Sequence, residues 1–346
     1  MRAIHYLLVA ASVAAAPARA ADSLDLAALY QAATLEGEVS LYGQGPPRVY
    51  ADWVSEFEAR YPKLHVRVTG GRYELAGKID AQLAAGKLEA DLAAVQTASD
   101  YVRWRGDGVL MPFSPPGFDR IPADFKDAEG RYFGLSINVV GFAYNPGGLA
   151  GAAPPKTIPD FLGPAFFEKI VSTYPHDDDV TLFNYSHIVE KYGWGFMDRL
   201  MAQHPKFVRS HILVADATAS GERPVTFDQI AAFNKVTFVV PEDVPLSVFP
   251  VTTGIFAKAP HPNAAKLFLA FLLSPEYQAR MAARGDWPVR TDAPPPAGFK
   301  PIGEYRAATA YIAFVADQAR VKELREKFEK IIGPPTGQYI NIPASK

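Results

Sequence analysis

The chain contains no cysteine among its 346 residues. Disulfide bridges, thiolate metal sites, cysteine nucleophiles and the lipid-modified cysteine of a lipoprotein are therefore excluded. Apolar runs of membrane-spanning length are also missing, so we expect no transmembrane helix in the mature chain. Lysine and arginine form no basic stripe and the formal net charge is −2, which argues against nucleic acid as a partner.

Catalytic sequence motifs are missing as well. The chain has no G-x-S-x-G elbow, no H-E-x-x-H pair and no P-loop, so the common signatures of hydrolases, zinc proteases and nucleotide-binding enzymes are absent. Its seven histidines are scattered among many carboxylates and indicate no catalytic constellation. We therefore do not expect an enzyme.

The first twenty residues have the pattern of a cleavable secretory signal peptide. Arg2 supplies a positive start, residues 6–16 are apolar, and Ala18-Arg19-Ala20 is a small-x-small cleavage site. The apolar run is too short to cross a bilayer, which takes about 20 residues. We expect cleavage near Ala20, export to the periplasm and a mature chain of two domains.

Strands and helices alternate over the first hundred residues of the mature chain. Predicted strands at 39–42, 64–68 and 90–95 are separated by predicted helices at 48–61 and 75–85. This β-α-β-α-β order predicts a mostly parallel sheet, and ligands bind beyond the carboxyl ends of such strands. The loops at those ends supply the first candidate ligand-binding residues: Gln44, Gly45, Arg72, Tyr73 and Thr97. Arg72 could bind a carboxylate or phosphate, although a capped turn with a solvated arginine is an equal alternative.

The segment 254–278, GIFAKAPHPNAAKLFLAFLLSPEYQ, predicts a strand, a turn and two helices. Pro262 suits the first position of a helix, and Ser274 suits the cap of the next one. Between them the apolar residues fall on one helical face. These residues are Ala264, Leu267, Phe268, Phe271 and Leu272.

This segment resembles the return segment of bacterial extracytoplasmic solute-binding proteins, the capture subunits of ABC importers. Residues 135–145, LSINVVGFAYN, and residues 287–290, WPVR, are similar to the same family. The resemblance implies a type II α/β fold with two lobes of mostly parallel sheets joined by extended hinge crossings. It places lobe 1 at residues 21–138 and 254–295, and lobe 2 at residues 139–253 and 296–346.

The family resemblance also implies a function. A monomer would capture a small molecule between its lobes in the periplasm, without a cofactor, and deliver it to a membrane permease. Ferric-iron-binding members, the closest in sequence character, hold the metal mainly with a tyrosine pair. That pair should follow Gly221-Glu222, but residues 224–228 read Pro-Val-Thr-Phe-Asp.

The missing tyrosine pair favours a small polar organic solute with an anionic or hydroxyl-rich part. Ferric iron or a ferric chelate with another ligand set is the first alternative, and a periplasmic sensor or enzyme on the same scaffold is the second. Tyr185 and Tyr192 lie at helical spacing among apolar residues, so we interpret them as core or boundary aromatics.

Residues 176–179, His-Asp-Asp-Asp, lie at a predicted strand-to-helix turn facing the cleft. Two interpretations stay open: the acids cap the helix, or His176 and Asp177 reach the ligand. They do not make a complete metal site, because adjacent acids do not point to one centre. The remaining candidate ligand-binding residues are Asn138, Tyr174, Thr226, Asp228 and Thr252.

Overall fold

The computed structural model describes residues 24–71, 74–95, 97–231 and 236–338. The predicted signal peptide lies outside the described residues, as do Arg72 and Tyr73. The α-helices are α1 Leu26–Glu36, α2 Ala51–Arg60, α3 Glu74–Ala84, α4 Ala98–Gly106, α5 Asp179–Tyr192, α6 Gly195–Met201, α7 His211–Ser220, α8 Pro262–Leu272, α9 Pro275–Ala283, α10 Tyr311–Ala316 and α11 Gln318–Ile332. The strands are β1 Glu38–Gln44, β2 His65–Gly71, β3 Leu92–Val95, β4 Phe133–Tyr144, β5 Val171–Thr173, β6 Lys206–Val208, β7 Val225–Ile230, β8 Thr237–Val239, β9 Leu246–Ile255, β10 Trp287–Pro288 and β11 Ala307–Ala308.

The main sheet has the strand order β2-β1-β3-β9-β4-β10, with β7 and β8 on β4 and β11 on β9. β1 pairs with β2 and β3 in parallel, as the alternation of strands and helices predicts. β9 is antiparallel to both β3 and β4, so the sheet is mixed where the chain crosses between the lobes. A separate parallel pair, β5 and β6, belongs to the second lobe.

The two predicted crossings are the long strands β4 and β9. The first part of β4 pairs with β9, while its last residues pair with β7 and β8. The last part of β9 pairs with β3, and its first residues pair with β11. Each crossing strand therefore has partners on both sides, so this region connects the two lobes.

Proline changes the start of the predicted helix at 48–61. Pro47 sits at the first position of a short 3₁₀ helix, Pro47–Tyr50, and the α-helix α2 begins only at Ala51. Proline fits the first turn of a helix because it has no N–H to leave unpaired. The short turn brings Tyr50 and Trp53 toward the carboxyl end of β1.

The core of the first lobe includes the apolar face predicted for α8. All five predicted residues of that face are buried, and so are Ala265, Leu269 and Ala270 on its other sides. Phe268 meets Phe57 of α2 edge to face, with ring centroids 4.9 Å apart. The helix is enclosed because α1 and α2 pack over it in addition to the sheet.

The second lobe continues its core into the C-terminal helices. Phe183 of α5 contacts Tyr311 and Phe314 of α10, with ring centroids 5.5 and 5.1 Å apart. Tyr185 is fully buried, so its interpretation as a core aromatic is confirmed. Tyr192 is partly buried, which fits the boundary position expected for it. Among the described residues, no helix combines the length and the apolar character needed to cross a membrane.

Candidate functional site

A cavity of about 360 Å³ lies at the carboxyl ends of β1 and β5. One wall comes from Gln44 and Gly45 after β1, Asn138 of β4, and Trp53 of α2. The facing wall comes from the segments that follow β5 and β6 in the second lobe. Strand ends and helix starts of both lobes therefore open into one space, as expected for a type II binding protein.

Five of the twelve predicted ligand-binding residues line this cavity. They are Gln44, Gly45, Asn138, Tyr174 and Asp177. Gly43 helps to shape the wall, because an added Cβ would come within 2.4 Å of the Tyr50 ring. That close approach lets the Tyr50 hydroxyl donate to the backbone carbonyl oxygen of Gln44, 2.9 Å away.

Five other predicted residues are not brought to the cavity wall: Thr97, His176, Thr226, Asp228 and Thr252. The side chains of Thr226, Asp228 and Thr252 are fully buried within β7 and β9. His176 packs edge-on against Tyr174, with ring centroids 5.4 Å apart, rather than facing the cavity. Arg72 and Tyr73 lie outside the described residues, so their part in the site stays a prediction.

Helix capping accounts for part of the run of three acids at residues 177–179. The Asp178 side chain accepts a hydrogen bond from Thr181 N at 2.9 Å and so caps α5. Asp179, in the first turn, pairs with Arg325 at 2.6 Å, and burial raises the pKa of its carboxyl while Arg325 opposes the shift. Asp177 instead accepts two hydrogen bonds from Arg209, and both Asp177 and Asp178 line the cavity.

The start of α7 forms a polar corner of the cavity. Arg209, Ser210, His211 and Ile212 all line the wall there. Ser210 caps the helix, because its hydroxyl oxygen accepts from Ile212 N at 3.1 Å. The positive end of a ten-residue helix therefore faces the cavity.

A buried carboxylate lies directly behind this corner. Oδ2 of Asp228 accepts hydrogen bonds from Ser172 Oγ at 3.0 Å, Thr173 N at 3.0 Å and Thr173 Oγ1 at 2.6 Å. Oδ1 lies 3.4 Å from His211 Nε2. Burial lowers the pKa of His211, but the Asp228 carboxylate and, to a smaller extent, that of Asp178 raise it, so the net shift is upward.

Aromatic rings and one further acid complete the lining. Tyr50 and Trp53 meet edge to face at 5.2 Å, and Trp287 of β10 also lines the cavity. Burial raises the pKa of Tyr50, which keeps its phenol neutral. Asp286 also lines the cavity, and desolvation raises the pKa of its carboxyl.

Several residues on the cavity wall were not predicted from the sequence. They are Trp53, Arg209, Ser210, His211, Asp286 and Trp287. One signal was available, since a serine followed by an apolar run is typical of a helix start, and Ser210 fits it. Within the part of the chain that the structure describes, no group of three or more acids and histidines is arranged to hold a metal ion.

Residues 96–308, more than half of the chain, match the family model of bacterial extracellular solute-binding proteins. The chain belongs to this family. The resemblance identified from the sequence is thereby confirmed, together with the implied role in ABC transport. No significant match to a curated protein sequence is found.

Solved structures confirm the two-lobed fold. The periplasmic binding protein AfuA from Actinobacillus pleuropneumoniae, solved with exogenous fructose-6-phosphate bound, has a TM-score of 0.68 and 19% identity over 86% of this chain and 98% of its own. Iron-bound HitA from Pseudomonas aeruginosa has a TM-score of 0.67 and 16% identity over 84% of this chain and 99% of its own.

A substrate-binding protein of an ABC transporter from Agrobacterium tumefaciens is similar to the same extent. Its TM-score is 0.69, with 17% identity over 85% of this chain and 94% of its own. At these identities the solved structures support the fold alone. The match to the family model places the chain in a family of solute-binding proteins.

Proposed function

We propose that this protein is the periplasmic capture component of an ABC importer and binds a small polar organic solute with hydroxyl groups and one anionic group. The observation that carries the proposal is the cavity at the facing strand ends. Gln44 and Asn138 lie on one side of it, and Arg209 lies on the other. A solute that contacts both sides stabilises the closed arrangement of the lobes.

The chemistry of the lining favours an organic solute. Gln44 and Asn138 each offer an amide that can donate and accept, and the acids on the wall can accept from hydroxyl groups. The guanidinium of Arg209 and the start of α7 suit one anionic group. Trp53 and Trp287 offer apolar faces against which a carbon skeleton can pack.

Ferric iron is supported less well by the residues at the cavity. The two tyrosines on the described part of its wall, Tyr50 and Tyr174, use their hydroxyls elsewhere. Tyr50 donates to the Gln44 and Ala94 carbonyl oxygens, and Tyr174 pairs with Thr336 Oγ1 at 3.0 Å. The segment expected to carry an iron-binding tyrosine pair runs through the buried strand β7 and has no tyrosine.

The remaining parts of the proposal follow from the family. We propose export with cleavage near Ala20, action as a monomer, delivery of the solute to a membrane permease and no chemical change to the solute. Family membership supports the binding and delivery roles. The apolar run at 6–16 and the small residues before position 21 support the export route.

The test is to purify the mature protein, denature it, and identify what it releases by mass spectrometry with metal analysis. The proposal predicts a polar organic molecule in near-stoichiometric amount that returns unchanged after incubation with fresh protein. Stoichiometric iron without an organic molecule would overturn the organic-solute assignment. Conversion of the released molecule would show an enzyme instead.

A matched pair of variants ties the solute to the cavity. Gln44→Ala removes an amide from the wall, so it should weaken binding of the released solute by roughly 1 kcal/mol. Gln82→Ala removes an amide of the same kind from the surface, where it contacts Glu89, and should leave the affinity unchanged. Isothermal titration measures both. Equal affinities for the two variants would place the solute elsewhere.

A further inference from the structure

The two oxygens of the buried Asp228 carboxylate have different partners. Oδ2 is surrounded by hydroxyl groups and a backbone N–H, all uncharged. Oδ1 faces one side chain that can carry a positive charge, His211, at 3.4 Å. A carboxylate with no exposed surface is costly to ionise without a cationic partner, so the pair favours a protonated imidazole.

His211 is an unusual first residue for a helix. A positively charged ring in the first turn is repelled by the positive end of the helix dipole, and the negative charge of Asp228 behind the ring offsets this repulsion. The ring is 8% exposed and lines the cavity, so its remaining surface is available to a bound solute. An anion in front of the ring would be attracted by both the imidazolium and the helix terminus.

Two carboxylates near His211 both raise its pKa. Asp228 faces it from β7, and Asp178 at the start of α5 adds a second negative charge. Arg209, two residues earlier, is bound by Asp177 through two hydrogen bonds. Thr181 of α5, which also lies near Nε2 at 3.3 Å, is uncharged.

We propose that His211 contacts the anionic group of the solute, and that Asp228 acts as its positioning residue by holding the ring protonated. This inference rests on the proposed function. It specifies which residue contacts the anionic group and that this residue is protonated. Capture is tight while the ring carries its proton. Affinity falls as the pH rises through the point at which the free protein loses that proton.

The test uses inorganic sulfate as the probe, because its charge stays constant over the range of about pH 5 to 8 in which histidine titrates. Nuclear magnetic resonance follows the His211 ring in the wild-type protein across this range, with and without sulfate. Sulfate should raise the pH at which the ring loses its proton. The sulfate affinity should fall about tenfold for each pH unit between the pH at which the free protein loses this proton and the higher pH at which the sulfate-bound protein loses it.

Three variants sharpen the experiment. His211→Gln keeps a hydrogen-bonding side chain without the charge, so it should weaken sulfate binding at low pH by about tenfold to a hundredfold and abolish the pH dependence. Asp228→Asn should move the His211 titration to lower pH. His187→Gln, on α5 and away from the cavity, should bind sulfate as the wild type does.

A His211 titration that sulfate leaves unchanged would overturn the inference, as would equal sulfate affinity in the wild type and His211→Gln. Circular dichroism of each variant identifies any loss of folding, and His211→Gln decides the case if Asp228→Asn does not fold. Failure of the inference is distinguishable from failure of the proposed function. If only the inference fails, the protein still releases an organic solute. If the proposed function fails, the protein releases no organic solute, and the inference is overturned with it.

Discussion

Arg209 holds Asp177 with two parallel hydrogen bonds of 2.7 and 2.9 Å at the wall of the cavity. Both side chains are largely buried, with 23% and 16% of their surface exposed. A guanidinium that binds an internal carboxylate through two hydrogen bonds is fixed in orientation. The pair therefore places a guanidinium of fixed orientation on the cavity wall, which suits the anionic group proposed for the solute.

Replacement of Arg209 should affect binding strongly. Arg209→Ala should weaken binding of the released solute by about 1.5–3 kcal/mol, because a charge-assisted hydrogen bond is lost. Arg209→Lys keeps the charge but not the fork, so its affinity should lie between those of the wild type and the alanine variant. Isothermal titration measures both variants. If Arg209→Ala binds as well as the wild type, the guanidinium does not contact the solute.

His211 should make the stability of the ligand-free protein depend on pH. Its pKa is raised in the folded state, because the Asp228 and Asp178 carboxylates together outweigh the effect of burial. The folded protein then holds a proton that the unfolded chain releases near pH 6.5, the approximate pKa of an exposed histidine. The stabilisation is fully present below that pH and is lost as the pH rises through the folded-state pKa.

Urea unfolding of the wild type and His211→Gln across about pH 5 to 9 measures this contribution. The difference in unfolding free energy between the two proteins should shrink as the pH rises. A difference that is constant with pH, or that grows, would contradict a protonated His211 in the folded state.

Individual site residues differed in how far they could be predicted. Gln44 directly follows a strand whose apolar pattern is clear, so its place at the strand end could be inferred. The Asp177–Arg209 pair joins residues 32 positions apart in sequence. It forms because β5 and β6 run parallel with Thr173 opposite Val208, and no local pattern encodes that alignment.

At the scale of elements, α5 depends on a side-chain cap. Asp178 has extended backbone angles, φ −140° and ψ 124°, and its carboxylate accepts from Thr181 N. The first turn of a helix leaves N–H groups without partners, and a capping oxygen satisfies one of them. The acid thus stabilises the helix start at the edge of the cavity.

Loss of this cap should lower stability modestly. Asp178→Ala should reduce the unfolding free energy by about 1 kcal/mol, within a range of roughly 0.5–2 kcal/mol. Asp178→Asn keeps a capping oxygen, so it should lose much less. Urea denaturation at neutral pH compares the two. An equal loss in both variants would assign the effect to the charge rather than to the cap.

Helices with a clear apolar period were the easiest elements to predict. α8 has its apolar residues at helical spacing between Pro262 and the Ser274 cap, and the structure begins it at that proline. α10 has six residues and no side-chain cap, so it was missed. It is held by aromatic contacts to α5, which are tertiary and leave no period in the sequence.

For the whole molecule, the two crossing strands make closure possible. β4 and β9 pair with each other between the lobes, and each also pairs with strands on either side. The family resemblance implied this arrangement, whereas the lobe boundaries remain a prediction.

The most direct test of solute capture between the lobes is a distance measurement across them. The chain has no native cysteine, so Leu35→Cys and Phe167→Cys would carry the only spin labels. Both side chains are exposed, at 90% and 48%, and they precede β1 and β5, the strands that end at the cavity. The labels would therefore report from the outer parts of the two lobes.

Double electron–electron resonance would record the label separation with and without the solute released from the wild-type protein. Capture between the lobes predicts a shift to a shorter and narrower distance distribution when the solute is added. The shift should be lost or strongly reduced in the same labelled protein carrying Arg209→Ala. An unchanged distribution at saturating solute would contradict closure around a bound molecule.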